Sequence, residues 1–258
     1  MIGTATNVPM STHVTIFVRE RGSFGFDNAG LRLFMVQIYS GLFDRWRNLG
    51  DKMVERRRRY SMRISPLGGR RPTRAELGNF VNGTLDDIDC PDPWLLIVGI
   101  NPGLWSAAVN APFAAPSNRF WPSLYHAGLT SRLVNATAGL LPEDEADLIS
   151  RRIGLTNFVN RATAKASELT KAELETGSKR IVSLVEERRP SVVAILGITA
   201  YRDAFAEPKA RMGLQRNPAP RLLGGAELWV LPQPSGLNAH ATLPVLVDWW
   251  ERVKERRK

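Results

Sequence analysis

Three short runs of the chain are apolar without a polar interruption: Trp94-Leu95-Leu96-Ile97-Val98, Val192-Val193-Ala194-Ile195-Leu196 and Leu228-Trp229-Val230-Leu231. A strand with one wet face alternates apolar and polar residues, whereas runs that do not alternate suit strands covered on both faces. Gly154-Leu155-Thr156-Asn157-Phe158-Val159 is a weaker fourth candidate. Helical spacing fills the intervals, from Asn118 to Ala127 closing at Gly128, from Glu143 to Arg152, and from Thr170 to Glu187. Thr170-Lys171-Ala172-Glu173 reads as a capping box at the start of the last of these. A final amphipathic helix begins near Leu243, and its basic tail, Arg252 to Lys258, matches the negative end of the helix dipole. Strands alternating with helices predict an α/β fold, a three-layer α/β/α sandwich around a central, mostly parallel sheet of about four to five strands.

The pattern is different before residue 71. Residues 1–70 read as a weakly structured basic extension, with an apolar patch from Leu31 to Ile38 and the run Arg56-Arg57-Arg58-Arg59. That run serves equally well as a solvated face or as a contributor to binding a polyanion. Leu67-Gly68-Gly69-Arg70-Arg71-Pro72 punctuates the chain as a linker, after which Thr73 to Leu77 opens a short helix. Residues 71–258 form the predicted catalytic domain. The irregular start, with Met10, Met35, Met53 and Met62 inside it, also fits an initiation site downstream of Met1.

Composition narrows the function. With 258 residues, 43% of them hydrophobic, the chain can bury one sizeable core. A formal charge of +10 favours polyanionic partners, nucleic acid or an anionic membrane surface. No apolar stretch approaches the roughly 20 residues of a membrane helix, and the N-terminus lacks the pattern of a secretory signal. The expectation is a cytoplasmic protein. Cys90 is the only cysteine and His13, His126 and His240 are scattered, so neither zinc nor an iron–sulfur cluster is expected.

Ligands of open parallel sheets sit beyond the C-terminal ends of the strands. After the first strong strand comes Gly99-Ile100-Asn101-Pro102-Gly103-Leu104, and after the last comes Pro232-Gln233-Pro234-Ser235-Gly236-Leu237-Asn238. Pro102 biases Asn101 to an extended backbone, and Gly103 permits close approach of a ligand. Asn-Pro-Gly taken alone is an ordinary turn. No glycine-rich phosphate loop is present, which argues against a nucleotide-binding α/β enzyme.

The wider context changes that reading. The segment from Gly99 to Leu104, then Pro112-Phe113-Ala114, then Ser117-Asn118-Arg119-Phe120-Trp121, closely resembles the uracil-DNA glycosylase superfamily, and within it the mismatch-specific uracil and thymine-DNA glycosylases. The resemblance continues through the stretch from Gly154 to Thr163, through Ala194 to Gly197, and through Leu231 to Leu237, covering the chain from about Pro72 onward. It implies a monofunctional DNA glycosylase needing no cofactor, a monomer acting on double-stranded DNA that carries a mismatched or damaged pyrimidine, and nucleoid association if the source is bacterial. The substrate implied is uracil opposite guanine, with thymine and exocyclic cytosine adducts as further candidates.

Position by position, the resemblance implies that Asn101 holds the water attacking the sugar C1′. It makes Ile100, Gly103, Ser106, Phe113 and Asn157 the contacts to the flipped base, with Phe113 stacking on it. It makes Gln233, Ser235, Gly236, Leu237 and Asn238 the segment that enters the duplex and grips its backbone, Leu237 being the apolar plug. An amide is neutral and cannot act as a general base, so catalysis has to lean on stabilising the departing base and a cationic sugar. Three positions depart from the bacterial mismatch-specific pattern. Asn157 stands where those proteins carry lysine, as it does in thymine-DNA glycosylases; Gln233 replaces asparagine; and Ala239 replaces a basic residue. His240 lies beyond the position of the catalytic histidine of other branches. The alternatives are a single-strand-selective or broad-specificity uracil glycosylase and a catalytically idle module that binds DNA damage. Lys165 and Lys171 are the candidate phosphate contacts.

Overall fold

The computed structural model describes residues 63–216 and 224–257. The expectations for the apolar patch at 31–38 and the arginine run at 56–59 lie outside the described residues. The apolar runs form strands where the pattern places them: β1 Leu95–Gly99, β2 Ile153–Asn157 and β3 Val192–Leu196, then a two-residue β4, Gly213–Leu214, and β5 Glu227–Leu231. Their order in the sheet is β2-β1-β3-β5-β4. The first four run parallel, and β4 is an antiparallel edge on β5.

The absence of alternation has the expected cause. β1, β2 and β3 are buried at every residue. The two faces of each strand enter different cores. Leu95, Ile97, Ile153, Leu155, Ala194 and Trp229 pack with Phe120, Leu124, Leu148 and Trp250. Leu96, Val98, Val193, Ile195, Leu228 and Val230 pack with Leu174, Ile181, Val185 and Tyr201. Register keeps like with like, since Ile97 pairs with both Leu155 and Ala194, and Ala194 pairs with Trp229. Each fully buried aliphatic side chain contributes about 1.5–3 kcal/mol, so both faces are held firmly.

The first face is covered by α2 Phe120–His126, α3 Pro142–Ser150 and α6 Leu243–Lys254, and the second by α4 Lys171–Arg188 and α5 Ile198–Phe205. This is the three-layer sandwich. The capping box stands as expected, with Glu173 N donating to Thr170 Oγ1 at 3.2 Å and Thr170 N to Glu173 Oε2 at 2.8 Å. Two helices lack a sequence signal. A further helix, α1 Leu104–Val109, is only six residues long, too short to show a period. α5 follows β3 with no loop, because Gly197 adopts φ +118°, a turn that other residues rarely make. The short helix expected from Thr73 is a 3-10 helix over Ala75–Phe80.

Attachment to this unit begins upstream of residue 71. The Arg63 guanidinium bridges Glu145 at 3.2 Å and donates to the carbonyls of Asp86 and Asp87 at 2.6 and 2.8 Å. Asn110, at the left-handed end of α1, completes the tie by donating to Ile64 O and Asp86 Oδ2. Among the described residues, no helix is long and apolar enough to cross a membrane.

Candidate active site

Parallel strands bring the segments after β1, β2 and β5 to one edge of the sheet. Pairing between β1 and β2 continues beyond the strands: Phe158 N donates to Gly99 O at 2.9 Å, Val159 N to Ile100 O at 3.0 Å and Thr163 N to Pro102 O at 3.2 Å. The Asn101 loop is thereby zipped onto the segment after β2.

That zipper orients the Asn101 side chain. Its Nδ2 donates to Arg161 O at 2.9 Å, to Thr163 Oγ1 at 2.7 Å and, more weakly, to Pro102 O at 3.3 Å. Backbone carbonyls only accept, and the Thr163 hydroxyl spends its proton on Lys165 O at 2.9 Å. The NH2 end of the amide must therefore face these three groups. The carbonyl oxygen Oδ1 is left with no hydrogen bond from the described residues.

Arg161, whose carbonyl holds Asn101, is itself anchored. Its Nε and a terminal nitrogen grip Glu173 at 2.8 and 3.2 Å, and its other terminal nitrogen reaches Asn82 at 3.1 Å. The Arg161 guanidinium and the Thr170 donors pull the Glu173 carboxyl down to about 2. A depressed carboxyl contributes stability that is fully present above the ordinary 4.5 and is lost as pH falls towards 2. This anchor is intact throughout the neutral range.

A narrow cleft with free room for about one water lies beside the loop, lined by Phe113, Asn157, Pro112, Thr156, Asp87 and Ile88 among others. Asn157 is 7% exposed, yet its amide makes no hydrogen bond with the described residues. Neither its nitrogen nor its oxygen is fully enclosed, so both stay open to water or a ligand. Its backbone is fixed from below by Arg180, which donates to Asn157 O, to Thr156 Oγ1 at 2.8 Å and to Asp87 Oδ2 at 3.3 Å. Burial pushes the Asp87 carboxyl up, against the opposing pull of Thr156 and Arg180.

Gly99 leaves room for the Asn157 amide. A Cβ on it would overlap Asn157 Oδ1 and come within 3.4 Å of Phe113 Cζ. The clashing atom is the end of a side chain, so displacement of the Asn157 amide relieves the overlap. Gly99→Ala is expected to cut activity about 10-fold, the worth of one well-placed hydrogen bond, while shifting the melting temperature by only a few degrees. Steady-state rates beside thermal melts check this, and an unchanged rate would show that the amide is not needed where it stands.

Phe113 holds a left-handed backbone, φ +54°, which is rare for an aromatic residue and marks a position fixed by its surroundings. Two contacts fix it. Its ring stacks on Phe120 with centroids 3.9 Å apart and planes 24° from parallel, and Ala114 N donates to Ser106 Oγ at 3.2 Å. Ser106, expected as a contact to the base, is thus placed under the Phe113 loop and does not line the cleft. Asn101 stands two residues from Gly99 and likewise lies outside the cleft lining. Gly103 has open space where a side chain would be, so the fold itself does not demand glycine there.

The segment after β5 reaches the same edge of the sheet. Leu237 is 94% exposed, an apolar side chain presented bare at a loop tip. The loop beneath it is ordered by its own hydrogen bonds, Asn238 N to Ser235 O at 3.0 Å, Asn238 Nδ2 to Gln233 O at 3.1 Å and Leu237 N to Ser235 Oγ at 3.3 Å. Ile100 and Gln233 flank Gly197, whose absent Cβ would lie 3.0 Å from Ile100 Cδ1 and 3.9 Å from Gln233 Cβ. His240 is exposed.

Arg161, Thr163 and Arg180 did not stand out as functional residues in the sequence. Arg161 and Thr163 lie about 60 residues from the Asn101 they hold. Only the β1–β2 register brings them together.

A family model of the uracil DNA glycosylase superfamily matches residues 86–254. The solution NMR structure of a candidate uracil DNA glycosylase from Methanosarcina acetivorans is similar in fold, with a TM-score of 0.50 and 20% sequence identity over 69% of this chain and 99% of that one. With the free Asn101 carbonyl, the unpartnered Asn157 amide and the bare Leu237 gathered at one sheet edge, and with that family covering most of the chain, this protein belongs to the uracil DNA glycosylase superfamily, whose members are DNA N-glycosylases.

Proposed function

We propose that this enzyme flips a pyrimidine out of duplex DNA and hydrolyses its glycosidic bond without strand cleavage, taking uracil opposite guanine as its preferred substrate and leaving an abasic site. The observation that carries the reading is the Asn101 amide, held by its NH2 end with its oxygen free. That oxygen accepts a hydrogen bond from a water and aims the water's lone pair at C1′. The C1′–N1 bond breaks with its electron pair going to the base, the water oxygen bonds to the cationic C1′, and the surplus proton leaves to solvent. Asn101 orients the water and takes no proton, so the barrier falls chiefly through stabilisation of the separating charges.

Phe113 serves as the platform for the extruded ring, where stacking contributes about 1–3 kcal/mol. The Asn157 amide offers one acceptor and two donors to the base edge, which suits a pyrimidine bearing a ring N–H beside a carbonyl. Leu237 fills the gap left in the stack, and Gln233, Ser235, Gly236 and Asn238 lie against the opened duplex. Lys165, exposed two residues from Thr163, and Lys171 supply phosphate contacts.

Leu237→Ala is expected to slow excision from duplex DNA about 10-fold, and from a single strand by much less, because a single strand has no stack to hold open. Equal effects on both would contradict the wedge. Selectivity is tested by timing release of uracil opposite guanine, uracil opposite adenine, uracil in a single strand and thymine opposite guanine. Uracil opposite guanine should be fastest, and equal rates on all three uracil substrates would favour the broad-specificity alternative.

A further inference from the structure

Arg119 sits at the N-terminal edge of α2, between two parts of the site. Its neighbour Phe120 stacks on Phe113, the platform. Its own guanidinium turns to the other side, where a single terminal nitrogen donates to Ser235 O at 3.3 Å, Asn238 O at 3.1 Å and Ala241 O at 3.0 Å. Its backbone N donates to Pro234 O at 2.9 Å. Four carbonyls spread along the Leu237 loop thus converge on one residue of α2.

The loop is also seated there by shape. A Cβ on Gly236 would come within 2.6 Å of Ser117 Cβ and Oγ and 2.7 Å of Ser117 O, so the glycine lies directly on the segment preceding Arg119. An apolar side chain that is 94% exposed has no packing of its own to fix its direction. Its aim comes from the backbone below it, and Arg119 holds that backbone.

We propose that Arg119 is a positioning residue that couples the wedge to the base platform, fixing Leu237 relative to Phe113 so that plugging the stack and receiving the base occur in register. The inference rests on the reading of Leu237 as the wedge.

The test is the ratio of single-turnover excision rates on a guanine-opposed uracil duplex and on the same strand alone. Arg119→Met should lower this duplex-to-single-strand ratio about 10-fold, through loss of several charge-assisted hydrogen bonds that a bulk-preserving residue does not replace. Arg119→Met with Leu237→Ala should lower it no further than Leu237→Ala does. Gly236→Ala, which pushes the loop off Ser117 while leaving Arg119 in place, should lower it as well, and it decides the question if Arg119→Met does not fold. Proportional loss on both substrates, an unchanged ratio, or multiplicative effects in the double variant would overturn the coupling. If Leu237→Ala lowers the ratio and neither Arg119→Met nor Gly236→Ala does, the coupling alone fails. If Leu237→Ala leaves it unchanged, the wedge reading fails and the coupling with it.

Discussion

Asn101→Ala is expected to slow uracil excision on the order of 100-fold or more, the scale on which a single preorganised polar group contributes to an active site, while affinity for the mismatched duplex stays within a few-fold. The split follows from the geometry. Asn101 contacts the protein through Nδ2 and leaves Oδ1 without a hydrogen bond from the described residues, and it does not line the cleft between Phe113 and Asn157. Removing it deletes the water's acceptor without touching Phe113, Asn157 or the Leu237 loop. Gel-shift titration beside single-turnover kinetics measures the two quantities, and equal loss in both would mean that Asn-Pro-Gly is a structural turn. Asn101→Asp sharpens the experiment. A carboxylate brings a base to the site but cannot donate to Arg161 O, and the Thr163 proton is already committed to Lys165 O. The side chain should swing away, and the variant should stay close to Asn101→Ala in rate.

Phe113→Ala carries the second largest effect, a loss of about 10–100-fold in kcat/KM, matching removal of a stacking platform worth about 1–3 kcal/mol. The effect should fall on duplex and single-strand substrates alike, because both must place the extruded base on the ring. That distinguishes it from the Leu237 and Arg119 variants. The fold should tolerate the change, since Phe113 is only partly buried and Phe120 keeps its edge contacts with Trp121 and Trp250 at 5.0 and 6.2 Å. A variant that keeps full rate would show that Phe113 belongs to the core alone.

Legibility in the sequence followed the range of the interactions. Strands buried on both faces announce themselves as unbroken apolar runs, and the Thr170 capping box is a local pattern, so both were readable. α1 and α5 were not, because six residues cannot show a helical period and the Gly197 turn has no flanking signal. The site divides similarly. Asn101, Phe113, Asn157 and Leu237 belong to short motifs whose order along the chain carries meaning. The groups that hold them come from elsewhere: Arg161 and Thr163 through sheet register, Arg180 from the face of α4, and Arg119 from a helix edge more than 100 residues before the loop it clamps. Ser106 shows the limit from the other side. The motif drew attention to its hydroxyl, and only the fold reveals that the same oxygen also accepts from Ala114 N under the Phe113 loop.

The departure at Gln233 also gains physical content. Gln233 contributes its backbone carbonyl to Asn238, and its side-chain amide makes no hydrogen bond with the described residues. Its extra methylene relative to asparagine therefore lengthens the reach of a free amide beside Ile100 and Gly197 without disturbing the loop.

Removal of a base from DNA leaves an alkali-labile site. Incubating the full-length protein with a duplex carrying one uracil opposite guanine, followed by hot alkali, measures it directly. Strand scission at the uracil is expected, dependent on the alkali and lost in Asn101→Ala; an intact strand from that duplex, from uracil opposite adenine and from thymine opposite guanine alike would rule out glycosylase activity.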